Sequence, residues 1–219
     1  MIQRLIVEGN SDLHFISNLA IAMNFPSVKN YEDEEKYKDE FAIVASGKQK
    51  LTSKLKVALE IEGLTNIGII LDTDKKSIEQ NWQSISSVLK EKYSKYLPKS
   101  HHNEGTIIQV PNLKIGIWMM PNNEKEGYLE HFFEDLLHKE DELWQLATQI
   151  TEGFVKDGKN RFKPIAKQKA DVHTWLAWQK DPESPMGFSL NQNKEYFDLN
   201  APIALKFKNW WENTFELLK

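Results

Sequence analysis

Short apolar segments alternate with longer amphipathic segments along the first two thirds of the chain. The short segments have the length and composition of strands, whereas the longer ones repeat their apolar positions every three to four residues, as helices do. The predicted strands cover residues 5–7, 41–44, 66–71, 106–110 and 114–120. The predicted helices cover residues 13–23, 49–60, 77–96, 127–138 and 140–151. Strands that alternate with helices predict an α/β, Rossmann-like fold with a mainly parallel sheet flanked by helices.

The last third of the chain has a different pattern. It holds four of the seven tryptophans, and residues 170–179 and 204–218 have the spacing of helices. No linker of adequate length separates this part from the rest. We therefore predict a single domain over residues 1–219, in which a mainly helical extension, 139–219, packs on a core formed by residues 1–138.

The most informative pattern is the apolar run from Ile67 to Leu71, which ends in Asp72-Thr73-Asp74. An uninterrupted apolar run is typical of a parallel strand that is covered on both faces, and such sheets bind ligands at the carboxyl ends of their strands. On an extended backbone Asp72 and Asp74 would point the same way, so two negative charges would converge. Because like charges repel unless protons or a cation neutralise them, the pair predicts a site for a hard divalent ion such as Mg²⁺.

A second acidic segment follows the first predicted strand. Glu8 closes the run Leu5 to Val7, and Asp12 falls in the first turn of the next helix, after Gly9. In a parallel sheet Glu8 would lie at the same edge as Asp72. The alternative is that Asp12 caps the helix and that Glu8 is a solvent-facing strand end.

Composition narrows the functional classes. The chain has no cysteine, which excludes disulfides and thiolate metal sites, and no apolar run approaches the roughly 18 residues of a membrane span. The N-terminus turns acidic too soon for a signal peptide, so we expect a cytoplasmic protein without a membrane partner. The net charge of −4 means that any contact with nucleic acid must use a local basic patch. Residues 156–169 form the most basic stretch, with Phe154 just before it and Phe162 within it. This stretch could form such a patch, and the alternative is a flexible loop.

Together these motifs resemble the Toprim domain, which occurs in topoisomerases, bacterial primases, small nucleases and nucleases of the OLD family. The resemblance covers about residues 1–135 and is carried by Glu8-Gly9 after one apolar strand and by Asp72-Thr73-Asp74 after another. The form Val-Glu-Gly-x-x-Asp, which includes Asp12, looks closest to OLD-type and stand-alone Toprim-like proteins.

Three further segments are similar to a small Toprim-like family of poorly known function and extend the resemblance over nearly the whole chain. They are residues 115–123, which read Ile-Gly-Ile-Trp-Met-Met-Pro-Asn-Asn, residues 127–130, which read Gly-Tyr-Leu-Glu, and residues 173–179, which read His-Thr-Trp-Leu-Ala-Trp-Gln.

The resemblance implies phosphodiester chemistry that depends on Mg²⁺ or Mn²⁺. Glu8 matches a residue assigned to metal binding or acid–base catalysis, and Asp72 and Asp74 match the metal-binding pair. Asp12 and Glu130 are the candidates for supporting a second metal. Glu126 and Glu134 are weaker candidates. On a helix they would lie on one face with Glu130, and the alternative is that this is a solvated acidic face.

Two lysines are candidates for contacting phosphate. Lys48 follows Ser46-Gly47 at a strand-to-helix turn, where backbone N–H groups favour anions. Lys169 precedes the His173 segment and is our second candidate, with a possible part in catalysis. The alternative for each lysine is a solvated surface position, which is the more common place for this residue type.

Aromatic and histidine residues are interpreted conservatively. Trp175 and Trp178 are three positions apart on a predicted helix, which favours a place in the core over base stacking. His173 is interpreted as a structural histidine, and the pair His101-His102 is weak evidence for a metal site.

The residues and the resemblance together predict a divalent-metal-dependent nuclease, or a related phosphodiester-processing enzyme, with a Toprim-like active site. By resemblance its substrate is DNA before RNA, its setting is anti-phage defence or DNA processing, and its partner is a companion ATPase or a second copy of the chain. One alternative is a non-catalytic or effector subunit that binds a nucleotide or a partner protein. Another is a metal-dependent phosphatase for small phosphoesters.

Overall fold

The computed structural model describes residues 2–25, 41–192 and 194–215, apart from the side chains of residues 191 and 192. The charge run Tyr31 to Glu40, interpreted above as a solvated loop, lies outside the described residues. The strands are β1 (Ile2–Val7), β2 (Ala42–Val44), β3 (Leu64–Asp72), β4 (Thr106–Val110) and β5 (Leu113–Met120). The helices are α1 (Asn10–Ala22), α2 (Lys48–Ala58), α3 (Ile78–Tyr93), α4 (Leu129–Leu136), α5 (Glu142–Lys156), α6 (Lys167–Leu176), α7 (Ser189–Gln192) and α8 (Pro202–Thr214).

The described strands form one five-stranded sheet in the order β2-β1-β3-β5-β4. β1, β2, β3 and β5 pair in parallel, and β4 pairs antiparallel with β5 as the first strand of a hairpin. The predicted α/β class with a mainly parallel sheet is confirmed. Because β3 is central and β1 is its neighbour, Glu8 and Asp72 leave adjacent strands at the same edge.

Both faces of the sheet are buried, which explains the unbroken apolar run of β3. Ile67, Ile69 and Leu71 pack on one face with residues of α2 and α3. Ile70 packs on the other face with residues of α1, α4, α6 and α8. A strand that is covered on both sides has no solvent-facing positions to fill with polar residues.

The C-terminal helix α8 lies directly on the sheet. Gly116 of β5 leaves the space that the Thr214 side chain fills, and Gly68 of β3 does the same for the ring of Phe215. Trp210 and Trp211 are buried against the same face. The helical extension therefore shares the hydrophobic core of the sheet.

Two helix boundaries differ from those predicted in ways that affect the candidate site. The helix predicted from residue 127 begins at Leu129, so Glu126 precedes it and cannot share its face with Glu130 and Glu134. The helix predicted to reach residue 179 ends at Leu176, which places Trp178 beyond it and 38% exposed, while Trp175 is buried. Within the described ranges, each helix is too short or too polar to cross a membrane.

Candidate functional site

The carboxyl ends of β1 and β3 bring two of the predicted acidic residues into contact. One carboxylate oxygen of Glu8 accepts a hydrogen bond of 3.0 Å from the backbone N–H of Asp72. The Glu8 side chain is therefore turned along the sheet edge toward β3 and is not a solvent-facing strand end. The contact follows from the parallel register, because Ile6 of β1 pairs with Ile69 of β3.

Asp12 joins this edge from the first turn of α1. Its carboxylate accepts a hydrogen bond of 3.1 Å from the backbone N–H of Gly9, which caps the start of the helix. Asp12 also lines the cavity that Asp72 lines. The two predicted roles of Asp12, helix cap and site residue, are thus compatible in geometry.

Thr73 fixes the loop that carries the next acidic residue, a function that the sequence did not reveal. The buried hydroxyl of Thr73 accepts a hydrogen bond of 2.6 Å from the N–H of Gly127 and donates to the carbonyl of Met120 at 3.0 Å. The backbone N–H groups of Thr73 and Asp74 both donate to the Gly127 carbonyl, each at 2.9 Å. The loop after β5 is thereby held against the end of β3.

This arrangement places the N-terminus of α4 against the Asp72 carboxylate. One carboxylate oxygen of Asp72 accepts a hydrogen bond of 3.1 Å from the backbone N–H of Leu129, the first residue of α4. The partial positive charge of a helix N-terminus favours such an anion. Glu130 is the next residue, and its side chain is 6% exposed and faces the same cavity.

Glu130 has one satisfied and one unsatisfied carboxylate oxygen. Lys169 of α6 reaches its Oε1 at 2.8 Å, and the Lys169 Nζ lies over the Tyr128 ring, 5.4 Å from the ring centre. Glu130 Oε2 is buried and has no hydrogen-bond partner within the described part of the chain. A buried carboxylate oxygen without a partner is costly, so this atom marks a position where a cation or donor is needed.

Burial and mutual repulsion disfavour the charged forms of the clustered carboxyl groups. Burial raises the pKa of Asp72 to about 9, and the carboxylates of Asp12, Glu8 and Glu130 add to the rise. Burial also raises the pKa of Glu8 to about 7, against the opposing effect of Lys48. Burial raises the pKa of Asp12 to about 6.

The lysine of the cluster responds in the opposite sense. Burial opposes the charge of Lys169, but the carboxylate of Glu130, with those of Asp72 and Asp12, outweighs burial and raises the lysine pKa. Lys169 is the cation that already balances part of the cluster. The raised carboxyl pKa values reflect burial first and the repulsion between the carboxylates second.

Asp74 does not join Asp72 in the way the sequence predicts. The extended backbone ends at Asp72, and Asp74 has a φ of 53°, so the alternation that would have aligned the two side chains is broken. The Asp74 carboxylate forms an ion pair of 2.9 Å with Lys48, which also donates to the Asp72 carbonyl at 2.6 Å. Both side chains line a separate cavity of about 430 Å³ between α2 and α3.

Each of the four clustered carboxyl groups, those of Glu8, Asp12, Asp72 and Glu130, has at least one oxygen that contacts another residue of the protein. Among the described residues, no three histidine, aspartate or glutamate side chains stand in ligand positions for a metal ion. The donor set nevertheless fits a hard divalent ion, because it offers carboxylate oxygens of Glu8, Asp12, Asp72 and Glu130, one of which has no partner. Binding of an ion would therefore require these side chains to move from their present positions.

The cavity beside the cluster has a volume of about 340 Å³ and is bordered by a segment that the sequence did not implicate. Residues 185–188 line it together with α1, and Gly187 packs so closely on His14 that a side chain at position 187 would collide with it. The Gly187 carbonyl also accepts a hydrogen bond of 2.6 Å from Asn18. The signal in the sequence was limited to Pro185 and Gly187, which indicate a loop but not its contact with α1.

The other candidates lie outside the cluster or have structural partners. Glu126 is exposed in the loop before α4, and Glu134 accepts a hydrogen bond of 2.6 Å from Gln168. His101 is buried between Asn123 and Thr106. His173, interpreted as a structural histidine, is exposed and lines the cavity instead, because its position on α6 faces outward.

Comparisons with known proteins place the chain in a family. No curated protein matches the sequence. A crystal structure of a hypothetical protein from Pyrococcus horikoshii OT3 is similar over 96% of this chain and 99% of that chain, with 19% sequence identity and a TM-score of 0.48. The profile of one family matches residues 2–216, so the chain belongs to the family described as protein of unknown function (DUF3226).

Proposed function

We propose that this protein is a divalent-metal-dependent phosphodiesterase of the Toprim type that cleaves nucleic acid. The observation that carries the proposal is the buried Oε2 of Glu130, which has no hydrogen-bond partner among the described residues and belongs to a side chain that lines the same cavity as Asp12 and Asp72. A purely structural carboxylate at this depth would have both oxygens satisfied. An oxygen left open among other carboxylates is suited to a cation.

Charge supports a metal ion over a further protein donor. Among the residues that the structure describes, the five carboxyl groups of Glu8, Asp12, Asp72, Asp74 and Glu130 have two lysines beside them, Lys48 and Lys169. The residues that would hold Mg²⁺ or Mn²⁺ are Glu8, Asp12, Asp72 and Glu130, all with the hard oxygen donors that these ions prefer. When bound, such ions supply positive charge to the phosphoryl group and activate a water molecule for in-line displacement.

The residues of the chain itself would bind and orient the substrate. Lys169 is half-exposed beside the cluster and can transfer its ion pair from Glu130 to a phosphate oxygen. Lys48 stands at the N-terminus of α2, where backbone N–H groups add to its charge. Residues 185–188 border the cavity together with α1.

The resemblance to Toprim nucleases supports the same reaction and suggests DNA as the substrate, with RNA second. It also suggests a setting of anti-phage defence and a companion ATPase or second copy as a partner. These remain proposals from resemblance.

The test combines metal binding with cleavage. Calorimetric titration of the metal-free protein with Mn²⁺ should show binding that Asp72→Asn weakens roughly a hundredfold or more, because the variant removes a ligand. Single-stranded and plasmid DNA should be cleaved with Mn²⁺ or Mg²⁺ and left intact by the variant. Glu62→Gln changes an exposed carboxylate at the opposite end of β3 and is the matched control.

Two outcomes would contradict the proposal. Cleavage that survives Asp72→Asn would place the activity elsewhere or in a contaminant. Mn²⁺ binding without cleavage of DNA or RNA would favour a non-catalytic binding protein. Asp74→Asn provides a further comparison, since its ion pair with Lys48 predicts a smaller loss of Mn²⁺ affinity than Asp72→Asn.

A further inference from the structure

We call the cavity that Asp12, Asp72 and Glu130 line the acidic cavity. A second concavity lies beside it. It has a volume of about 560 Å³ and is formed by the end of α5, the segment that follows it and one face of α6. The residues that α6 contributes to it are small or polar and have the spacing of one side of a helix, so no large side chain of α6 fills the concavity. These are Ala170, His173, Thr174 and, just past the helix, Ala177. We call this concavity the aromatic groove.

Three aromatic side chains give the groove its character. Phe154 is 49% exposed and Trp178 is 38% exposed. Phe162, which also lines the groove, is half-buried. In the ranges that the structure covers, none of the three contacts another aromatic ring, whereas the core aromatics pack on one another. Large rings exposed in a concavity are typical of a binding surface.

The groove lies in the most basic part of an acidic protein. Residues 152–169 hold six basic and two acidic residues, against a net charge of −4 for the chain. Lys159 lines the groove and pairs with exposed Asp157 at 2.7 Å, an exposed contact that a phosphate can replace. Arg161 and Lys163 are exposed and form no ion pair with any described residue.

The aromatic groove adjoins the acidic cavity at His173. His173 lines both, and Lys169, one helical turn earlier on α6, lines the acidic cavity and contacts Glu130. A polymer that enters along the groove would therefore reach the carboxylates by passing His173 and Lys169.

We propose that the aromatic groove binds single-stranded nucleic acid and leads it to the carboxylate cluster. Bases would stack on Trp178, Phe154 and Phe162, while Lys159 and Arg161 contact the backbone phosphates. The inference rests on the proposed function for its direction, but the binding itself does not require catalysis.

The chemistry favours single strands over duplexes. Ring stacking needs a base whose faces are free, and in a duplex both faces are covered by neighbouring base pairs. Stacking on aromatic rings combined with a basic rim is the usual way in which proteins hold single strands without reading their sequence.

The test measures binding in the absence of cleavage. Fluorescence anisotropy with labelled oligothymidylate, in chelator and in the Asp72→Asn background, should show binding that weakens as salt increases. Trp178→Ala and Phe154→Ala should each weaken it roughly tenfold or more, Trp178→Phe should restore most of it, and a duplex of the same length should bind less tightly. Tyr96→Ala, which changes an aromatic residue 44% exposed outside the groove, should bind as the parent does. Thermal unfolding confirms that each variant is folded.

The outcomes separate this inference from the proposed function. Unchanged oligothymidylate binding in folded groove variants overturns the groove, even if metal-dependent cleavage persists. Groove-dependent binding with no cleavage by the wild-type protein supports the groove while the nuclease proposal fails. A shift from dimer to monomer without loss of oligothymidylate binding would instead assign Phe154 and Trp178 to contact with a second copy, and would overturn the inference. A dimer contact through this surface is a specific alternative, because the exposed apolar stripe of α5 continues from Phe154 through Ile150, Leu146 and Leu143.

Discussion

Lys169 holds one oxygen of Glu130 at 2.8 Å and leaves the other oxygen of the same buried carboxylate without a partner. The pair joins α6 of the helical extension to α4 at the edge of the sheet. It therefore links the stability of the extension to the charge of the site. A cation bound at Glu130 would take over part of what Lys169 now supplies.

Replacing Lys169 by methionine should destabilise the metal-free protein by about 2 kcal/mol, because Glu130 then keeps a buried charge with no partner. Addition of Mn²⁺ should recover much of the loss. Chemical unfolding with and without Mn²⁺ measures both effects.

Lys167→Met is the matched control for this prediction. Lys167 lies on the same helix and pairs at 2.7 Å with Asp171, which is 2% exposed and outside the acidic cavity. The control should lose a comparable amount of stability and recover none of it with Mn²⁺. Equal recovery in both variants would show that the ion acts somewhere other than Glu130.

The pKa values of the cluster predict an unusual dependence of stability on pH. Asp72 titrates near 9 in the folded protein and near 3.8 when unfolded, so the folded state binds its proton more tightly. Its contribution to stability is complete below pH 3.8 and is lost as the pH rises toward 9. The raised pKa values of Glu8 and Asp12 act in the same sense up to about pH 7 and 6.

We therefore expect the metal-free protein to lose thermal stability between neutral pH and pH 9, and Mn²⁺ or Mg²⁺ to stabilise it more as the pH rises. Asp72→Asn should flatten both dependences, because its side chain carries no titrating charge. Differential scanning calorimetry across this pH range, with chelator and with ion, is the measurement. An unchanged slope in the variant would contradict the assigned pKa of Asp72.

The sheet and most of the acidic cluster follow from local sequence patterns. The apolar run of β3 required two covered faces, and the carboxyl ends of parallel strands placed Glu8 and Asp72 together. The direction of Asp74 did not follow, because it depends on one residue that adopts a positive φ. Alternation of side chains predicts orientation only while the backbone stays extended.

Contacts between distant segments were also beyond the sequence patterns. Lys169 pairs with Glu130, which lies 39 positions earlier in the chain. The loop at Gly187 contacts Asn18 of α1, which lies 169 positions earlier. Such contacts depend on how α6 and the following loop dock on the core. The basic stretch changed in meaning for the same reason, since Lys167 and Lys169 turned out to neutralise buried carboxylates.

His101 predicts sensitivity to acid away from the site. Burial lowers its pKa to about 4, with smaller effects from His102 and Lys206 in the same direction and an opposing one from Asn123. The folded state therefore favours the neutral ring, and its contribution to stability is present above pH 6.5 and is lost as the pH falls toward 4.

This loss should reach about 3 kcal/mol at pH 4, at the rate of about 1.4 kcal/mol per pKa unit. His101→Gln should unfold with a weaker dependence on pH between 6.5 and 4, and the exposed neighbour substitution His102→Gln should keep the parent dependence. Urea unfolding at several pH values distinguishes the two variants. Parallel behaviour of both would mean that the acid response arises elsewhere.

Thr73→Val tests whether the loop anchored to β3 positions the site. The variant keeps the shape of the side chain but leaves the Gly127 N–H without its acceptor at 2.6 Å, which should cost about 1–3 kcal/mol of stability. Because the same loop sets the N-terminus of α4, Leu129 and Glu130 should shift relative to Asp72, and Mn²⁺ affinity should fall together with cleavage. Thr148→Val, which removes a hydroxyl on the outer part of α5, should change stability by less than about 0.5 kcal/mol and leave Mn²⁺ affinity as it is. Loss of stability with full Mn²⁺ affinity in Thr73→Val would show that the anchor supports the fold without positioning the carboxylates.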